Sequence, residues 1–478
     1  MEAQYPKYRW FVLVTMIVAT IGQGLVLIAP SPMIQSIYVS IFGAPEHADG
    51  AGAFAGQVSI LLMVSFQLFV VIGGIAGGVI ADKISLPKTF IVSMVLMIIG
   101  SVIFIVAGNN IAVLIIARAF SGLGAGPVIA VEAKLAAEWF PIKQRPMVLG
   151  LGGAALSGGI AVGLSAGQAI YMGTGAQQVF YLQNIASGAI DNVQKIFDPT
   201  SVDPALLAQN RLVRVIEGGN WNIAIGILGV VCIIGLILSI IWLKGPKPPQ
   251  IEETVAVAGE SNKGGVSVFK LAVKSPAFIA GVLICSCAAW LQQATNDLTP
   301  NHLGDTFIGL GWGAANGGAV LGLFSIAYLF GSLSVGVLIG PVFKGKVRIL
   351  NIIAFIIAGA MVATLLVPSF ANPDPSHPGM PPGALILCII IAGFFAGIPM
   401  AATQAFISMN YPESVAGRIG GLTMSIGILM SVVGVTVGSV ALASTGNYNL
   451  SVMIVVIICA VGIFVGIPLK RPKAFSGE

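Results

Sequence analysis

Ionisable side chains are scarce in this sequence, so the few that stand inside long apolar runs are the first candidates for chemistry. Charged residues make up 9% and hydrophobic residues 56% of the 478 residues. Arg118 and Glu132 share one apolar run, and Asp297 lies in another. A charge in apolar surroundings is costly unless it is paired and hydrogen-bonded. We therefore expect Arg118 to face a polar cavity or a partner, and we expect such carboxylates to carry protons.

Glu132 and Lys134 are neighbours in the sequence, but they cannot serve one site from the same side of a helix. Residues two apart on a helix point about 200° away from one another. Glu132 also lies 14 residues from Arg118, which is about 21 Å along a helix, so these two cannot pair. We interpret Glu132 as a proton carrier. The open alternative is a structural pair of Glu132 and Lys134 near the end of the run.

The stretch WLQQATNDLTP adds a cluster of polar side chains at the end of another apolar run. On a helix, Gln292 and Asn296 share one face, and Gln293 and Asp297 share the next. This polar end predicts a water-filled vestibule with substrate contacts or a gate, and Pro300 marks where the helix breaks. The alternative is that the helix ends sooner and these residues form a loop. Further polar residues within apolar runs are Gln23, Gln67, Gln168, Asn316, Tyr328 and Gln404. Each of them either lines a central cavity or bonds to a neighbouring helix.

The elements that must hold these residues are membrane-spanning helices. The mean hydropathy is +0.97, and apolar runs of about 20 residues recur, each long enough to cross a hydrocarbon core of roughly 30 Å as a helix. The approximate predicted spans are residues 10–37, 53–81, 88–107, 111–139, 147–172, 221–243, 277–299, 314–342, 348–368, 384–409, 419–444 and 450–469. The five cysteines fall inside apolar runs and show no disulfide or metal spacing.

Lysine and arginine residues concentrate in alternate connections between these spans. Because basic residues resist translocation, this pattern predicts that both termini are cytoplasmic. The long connection 173–220 then lies outside. In it, Ser201 or Asp203 can cap a short helix that has Pro204 in its first turn. This helix is either a solvated surface helix or a lid over an entrance.

A second long connection, residues 246–275, is rich in Pro, Gly and charge and predicts a cytoplasmic linker. It divides the chain into an N-terminal half, residues 1–245, and a C-terminal half, residues 276–478. An offset of 271 aligns Gly122 with Gly393, Ala125 with Ala396, Gly126 with Gly397, Pro141 with Pro412 and Gly150 with Gly421. Glycine is common here, but the matches fall in the fourth and fifth spans of each half and favour an internal repeat.

Two short stretches in this six-plus-six arrangement carry recognisable motifs. GGVIADKISLPK, between spans two and three, has Gly78, Asp82 and Lys83 at the spacing of a Gly-x-x-x-Asp-Arg/Lys loop, and RAFSGLGAG in span four opens on Arg118. Together with the twelve spans, these stretches resemble the major facilitator superfamily (MFS). The resemblance implies an all-α integral membrane protein with twelve transmembrane helices in two six-helix bundles.

In that family the loop aspartate holds the two halves together on the cytoplasmic side while the outside is open. The resemblance therefore implies a conformational latch at Gly78, Asp82 and Lys83. A carboxylate near a helix N-terminus and neighbouring cations gains about 0.3 to 2 kcal/mol, enough to bias an equilibrium between two states. The alternative is an ordinary basic cytoplasmic loop that happens to contain an aspartate.

The family also implies a function, secondary active transport of a small solute by alternating access. For Arg118 it implies a role in proton coupling or anion binding; the alternative is a structural arginine that bonds to backbone carbonyls. We expect proton symport of an organic anion or carboxylate, with a proton-coupled exporter of lipophilic compounds as the second hypothesis. The expected substrate-binding residues are Arg118, Gln23, Gln292, Gln293 and Asn296, and the expected proton-coupling residues are Glu132, Asp297 and Arg118.

The remaining expectations concern what the protein binds and where it acts. An enzyme is not expected, because His47, His302 and His377 lie at or beyond the outer ends of spans, where no catalytic constellation can form inside the bilayer. No cofactor, metal or nucleic acid is expected. The expected partners are a small-molecule substrate, protons and the lipid bilayer, and the expected form is a monomer in the plasma or inner membrane.

Overall fold

The computed structural model describes residues 6–141, 144–246, 269–367, 382–411 and 413–470. Within these ranges the side chains at 49, 78–83, 133, 137, 145–146, 408 and 413–418 are not described. The helices are Arg9–Ile28, Ile34–Phe42, Ala48–Ser59, Ser65–Ile84, Leu86–Val106, Ile111–Trp139, Arg145–Gly173, Pro204–Leu207, Trp221–Ile227, Val230–Leu243, Pro276–Gly304, Ala314–Val337, Val347–Ala363, Gly383–Ala396, Ile398–Asn410, Glu413–Thr445 and Asn449–Gly466.

Within these ranges, twelve helical segments are long and apolar enough to cross a membrane, so the predicted number of spans is confirmed. Spans 1 to 12 are Arg9–Phe42, Gly50–Gly77, Leu86–Val106, Ile111–Ala136, Met147–Gly173, Trp221–Leu243, Pro276–Gly304, Ala314–Val342, Val347–Leu366, Gly383–Ile407, Ile419–Thr445 and Asn449–Gly466. We call spans 1 to 6 the first half and spans 7 to 12 the second half.

The connection between spans 5 and 6 folds into a small antiparallel sheet, which the sequence analysis did not predict. Its strands are β1 (Ala176–Asn184), β2 (Ile190–Ile196) and β3 (Asn210–Gly218), in the order β2-β1-β3. We call the side of the molecule that carries this sheet the sheet face, and the side on which the chain begins the terminal face. The predicted short helix is present at Pro204–Leu207, where the Asp203 side chain accepts a hydrogen bond from the amide of Ala205 at 2.9 Å.

Span 7 corrects the expectation that the helix breaks at Pro300. The helix Pro276–Gly304 continues through this proline, so the alternative of an early loop is wrong as well. Proline has no N–H for the carbonyl four residues earlier, which is that of Asn296. The Ser31 hydroxyl in span 1 donates to this carbonyl at 3.0 Å and to the carbonyl of Asp297 at 2.9 Å. A donor from another span therefore replaces the missing one, as a membrane interior requires.

The two halves repeat one mode of glycine packing. A side chain at Gly122 in span 4 would collide with the carbonyl of Phe66 in span 2, and one at Gly393 in span 10 would collide with the carbonyl of Phe324 in span 8. Small residues let helix backbones approach this closely. The residues that the 271-residue offset aligns thus make equivalent contacts, which supports the internal repeat.

Gly126 gives a direct test of this packing. An added methyl group would collide with the amide of Gly74 and the carbonyl of Val70, and two rigid helices cannot yield to it cheaply. We expect Gly126→Ala to lower the free energy of unfolding by about 1 to 3 kcal/mol, measured as a lower thermal midpoint in detergent. Gly153→Ala is the matched control, because an added methyl group at that helical glycine meets nothing within 4 Å. Equal midpoints for the two variants would contradict the packing.

Candidate functional site at the seam between the halves

Arg118 lies in the protein interior, as the sequence predicts, with 1% of its surface exposed. Its guanidinium donates to three backbone carbonyls, those of Leu62 at 2.6 Å, Val26 at 2.7 Å and Leu27 at 2.9 Å, and it stacks over Phe66 at 4.3 Å. These carbonyls belong to spans 1 and 2. The arginine thus ties three spans together through contacts of the kind that its structural interpretation requires.

The sequence of span 1 explains why one of these carbonyls is available. The carbonyl of Val26 lies four residues before Pro30, which has no N–H to donate to it. The helix Arg9–Ile28 ends just before this proline, and a 3₁₀ turn, Ser31–Met33, follows. Arg118 therefore supplies a donor that the local sequence removes, and its position is fixed by the backbone of span 1.

Asp297 faces Arg118 across the seam between the halves and is fully buried. Its carboxylate accepts one hydrogen bond from Gln293 on its own helix and one from Gln67 in span 2, both at 3.0 Å, and it interacts electrostatically with Arg118. The hydroxyl of Ser431 in span 11 donates to the Gln67 carbonyl oxygen at 3.3 Å. Hydrogen bonds thus join spans 2, 7 and 11 around this carboxylate, and Arg118 of span 4 interacts with it electrostatically.

The other predicted binding residues divide between this network and its surroundings. Asn296 is buried and accepts a hydrogen bond from Ser325 in span 8 at 3.3 Å. Gln23 is buried in span 1, and its side-chain oxygen has no hydrogen-bond partner within the described part of the chain. Gln292, one position before Gln293, is only partly buried. The structure brings together Arg118, Gln293, Asn296 and Asp297 at the seam.

The predicted water-filled vestibule at the end of span 7 is wrong for this conformation. Gln293, Asn296 and Asp297 are buried, and span 7 receives hydrogen bonds from Ser31 and Gln67 of the first half. Polar residues at the end of an apolar run are expected for a vestibule, but they are equally expected for a buried, hydrogen-bonded seam between two helix bundles. The two cases differ only in which helices pack against span 7, and the sequence of one apolar run does not reveal its neighbours.

Glu132 occupies a separate position, towards the terminal face. It accepts a hydrogen bond from Thr20 in span 1 at 3.2 Å, and its carboxylate faces Gly152 in span 5. Lys134 points elsewhere and lies 4.0 Å from Glu138, one turn further along. The predicted divergence of Glu132 and Lys134 is therefore seen, and the role of Glu132 as a proton carrier stays a prediction.

The predicted latch lies largely outside the described side chains. Gly78, Asp82 and Lys83 fall on the helix Ser65–Ile84, and the structure does not describe their side chains. The turn that follows is at Ser85, which has a positive φ of 97°, a conformation that is uncommon outside glycine. The latch stays a prediction.

Sequence reasoning missed a second carboxylate at the seam, Asp305, which follows span 7. It is 1% exposed and accepts hydrogen bonds from Gln35 and Tyr38 of span 1 at 3.3 and 3.2 Å, and from Tyr448 of the second half at 3.4 Å. The amide of Phe307 adds another at 2.8 Å. Its position just past an apolar run is typical of a solvated loop residue, so the sequence carried no signal for its burial.

Further contacts between the halves complete the closure of the sheet face. The hydroxyls of Ser59 in span 2 and Ser439 in span 11 lie 2.7 Å apart. A side chain at Gly56, one turn earlier, would come within 2.7 Å of the Ser439 carbonyl, so these two helix backbones are in close contact. The sheet face is therefore closed in this structure.

Comparisons with known proteins agree with this architecture. A family profile described as Major Facilitator Superfamily matches residues 11–190 and 214–380. A stretch of 120 residues, 25% of this chain, is 34% identical to the hexuronate transporter of Bacillus subtilis (strain 168), and it spans only 28% of that relative's length.

Solved structures share the fold along the whole chain. The crystal structure of a D-xylose-proton symporter has a TM-score of 0.67 and 14% identity, covering 99% of this chain and 100% of that one. The xylose transporter XylE from E. coli, in a partially occluded inward open conformation, has a TM-score of 0.65 and 12% identity, covering 98% and 99%. With its family match and its twelve membrane-spanning helices, this chain belongs to the Major Facilitator Superfamily and is a multi-pass membrane protein.

Proposed function

We propose that this transporter carries an organic anion together with a proton, by alternating access to a site at the seam between its halves. The observation that carries the proposal is the electrostatic interaction between a buried cation of the first half, Arg118, and a buried carboxylate of the second half, Asp297. Opposite charges on two moving bodies couple any change in either charge to the equilibrium between conformations.

We propose an anionic substrate because an anion can compete with Asp297 for the guanidinium of Arg118. A substrate carboxylate that reaches the guanidinium replaces the electrostatic contribution of Asp297, and an arginine is well suited to carboxylates because its donors form a fixed fork. The amides of Gln293 and Asn296 at the seam, and that of Gln23 elsewhere in span 1, are the groups proposed to bond hydroxyl groups of the same solute. A hexuronate is a sugar that bears a carboxylate, so the name of the matched Bacillus subtilis relative makes sugar acids the first substrates to test.

We propose coupling to protons because Asp297 and Glu132 are carboxylates inside membrane spans. Neutralising Asp297 removes its attraction for Arg118 and leaves the guanidinium available to an incoming anion. A singly charged anion that crosses with one proton carries no net charge, so the proton concentration gradient drives accumulation of the solute. Each further proton would add about 2.3 kcal/mol per 100 mV of membrane potential. Glu132 is a second candidate carrier, because its hydrogen bond to Thr20 places it apart from the seam.

The proposed orientation in the membrane rests on the lysine and arginine residues in the connections between spans. We assign the terminal face to the cytoplasm and the sheet face to the outside, in the plasma or inner membrane, because lysine and arginine concentrate on the terminal side. In this orientation, Gly78, Asp82 and Lys83 form the proposed latch on the cytoplasmic side. We also propose that the protein acts as a monomer. The structure thus corresponds to a conformation closed to the outside.

Uptake into proteoliposomes tests substrate and coupling together. We expect an inward proton gradient to drive uptake of labelled glucuronate, and we expect Asp297→Asn, which mimics the protonated state, to abolish the dependence on the gradient. Arg118→Lys should lower uptake about tenfold or more, since charge-assisted hydrogen bonds contribute roughly 1.5 to 3 kcal/mol. Lys195→Met is the control, because Lys195 pairs with Glu217 within the sheet.

The same variants yield a binding measurement. Glucuronate should raise the thermal midpoint of the wild type but not that of Arg118→Ala, because only binding to the folded state stabilises it. Stabilisation by neutral sugars or cations alone would contradict the anion proposal, and gradient dependence that persists in Asp297→Asn would contradict the assigned proton site.

A disulfide across the seam tests alternating access itself. The Ser59 and Ser439 hydroxyls lie 2.7 Å apart on opposite halves, so cysteines at both positions can approach bonding distance. We expect oxidised Ser59→Cys/Ser439→Cys to lose transport almost completely and to recover it on reduction. Each single variant, treated with the same oxidant, should keep transport. Full activity of the oxidised double variant would show that this face does not open.

The buried carboxyl of Asp305 predicts how pH acts on the closed state. Burial raises the pKa of Asp305 to about 6, although the Phe307 and Ile308 amides and the Tyr38 and Tyr448 hydroxyls oppose this. In the open state, water returns the pKa to about 3.9. Because the closed state then binds the proton more tightly, closure is favoured as the pH falls and loses this stabilisation as the pH rises through 6.

The expected change is roughly tenfold in the ratio of closed to open protein between pH 7 and pH 5. It can be measured as a distance distribution between spin labels at Val193, on the sheet, and Ser444, at the end of span 11. Asp305→Asn should flatten this pH dependence. A ratio that shifts towards the open state on acidification would contradict the assignment.

A further inference from the structure

Strand β3 forms an edge of the sheet, and its exposed side is occupied by the loop 305–313, which joins spans 7 and 8. The Thr306 hydroxyl donates to the carbonyl of Arg214 on this strand. In the other direction, the Arg214 guanidinium donates to the carbonyl of Trp312 at 3.2 Å. An edge strand presents unpaired backbone groups, and here the second half of the transporter supplies a partner for them.

Arg211, on the same strand, makes the second contact. Its guanidinium donates to the carbonyl of Phe307 at 3.1 Å and to the side chain of Gln183, its cross-strand partner on β1, at 2.6 Å. It also interacts electrostatically with Asp305. Arg211 therefore joins the sheet, through Gln183, to the loop, through the carbonyl of Phe307. We call the contacts made by Arg211, Arg214 and Thr306 the interlock.

The sheet is anchored to the first half on its other sides. The Tyr171 hydroxyl in span 5 donates to the carbonyl of Gly218 at 2.9 Å, the Asn192 side chain donates to the carbonyl of Ala44 at 3.2 Å, and His47 forms a bridge with Ala189. These contacts hold the sheet against span 5 and against the connection between spans 1 and 2. The sheet must therefore move with the first half.

The loop 305–313 is anchored to the second half in the same way. The amide of Leu310 donates to the carbonyl of His302, and that of Trp312 to the carbonyl of Leu303, at 2.7 and 3.0 Å. Phe307 and Trp312 are buried. The loop is thus a rigid extension of span 7, and the interlock joins two bodies that separate when the sheet face opens.

We propose that the interlock is the lock of the sheet face: it must break each time that face opens, and Arg211 and Arg214 set the balance between closed and open states. The inference rests on the alternating access of the proposed function. Guanidinium-to-carbonyl bonds do not titrate in the physiological range, so these bonds persist at any pH at which the protein is folded, although Arg211 also interacts with Asp305. Residues 191–213 lie between the two family-matched ranges, so Arg211 and all of β2 except Ile190 belong to a segment outside the family match.

Accessibility of a cysteine beneath the interlock measures its effect. Ser31 is fully buried and bonds to span 7, so Ser31→Cys should react with a membrane-impermeant maleimide from the sheet side only when that face opens. In this background we expect Arg211→Met/Arg214→Met to label about tenfold faster, because methionine keeps much of the side-chain packing but removes the donors. Lys195→Met, the control on the same sheet, should label at the parental rate.

Thr306→Val acts on the interlock from the loop side without changing charge, and we expect it to label several-fold faster. This variant tests the interlock even if Arg211→Met/Arg214→Met does not fold correctly. The thermal midpoint of the double arginine variant is measured in parallel to detect such misfolding. Parental labelling rates in both Thr306→Val and the double arginine variant would overturn the proposal, as would equally faster labelling in Lys195→Met.

The disulfide between positions 59 and 439 separates this inference from the proposed function. If the oxidised disulfide blocks transport while the interlock variants label at the parental rate, alternating access holds and the lock is wrong. If the oxidised protein transports freely, alternating access at this face fails, and the interlock proposal fails with it.

Discussion

The structure depends on one constraint, that backbone carbonyls freed inside a membrane must find donors other than water. Pro30 and Pro300 each remove a donor from their own helix, and side chains from other spans replace it: Arg118 bonds the carbonyl of Val26, and Ser31 bonds that of Asn296. Each replacement joins helices that are distant in sequence. The places where the local helix is incomplete are thus the places where spans 1, 4 and 7 meet.

The candidate site follows from this arrangement. Once Arg118 is fixed by carbonyls of spans 1 and 2, its charge has a set position in the first half, and Asp297 faces it from the second. Two opposite charges held on separate bundles favour the closed seam, and in the proposed mechanism a proton or an anion alters that balance. A structural arginine and a functional one are therefore compatible interpretations of the same residue.

The sequence predicted the features that local pattern determines. Twelve spans follow from run lengths, the burial of Arg118 follows from the cost of a lone charge, and the short helix after Asp203 follows from its cap. The passage of span 7 through Pro300 and the burial of Asp305 depend on partners 265 to 270 residues away. No local pattern encodes such partners. The sheet was missed because it lies between two apolar spans, in a connection that was interpreted only as a loop with a short helix, although Val213 and Val215 alternate with polar residues on β3.

The position of the sheet has a mechanical consequence. If the halves rotate about an axis near the middle of the membrane, points displaced from that axis travel in proportion to their lever arm. The sheet lies beyond the ends of the helices, so a small angle parts β3 from its loop while Arg118 and Asp297 have hardly moved. During opening, the contacts between β3 and the loop 305–313 then break before Arg118 and Asp297 separate. During closing, Arg118 and Asp297 approach one another first, and the contacts of β3 form last.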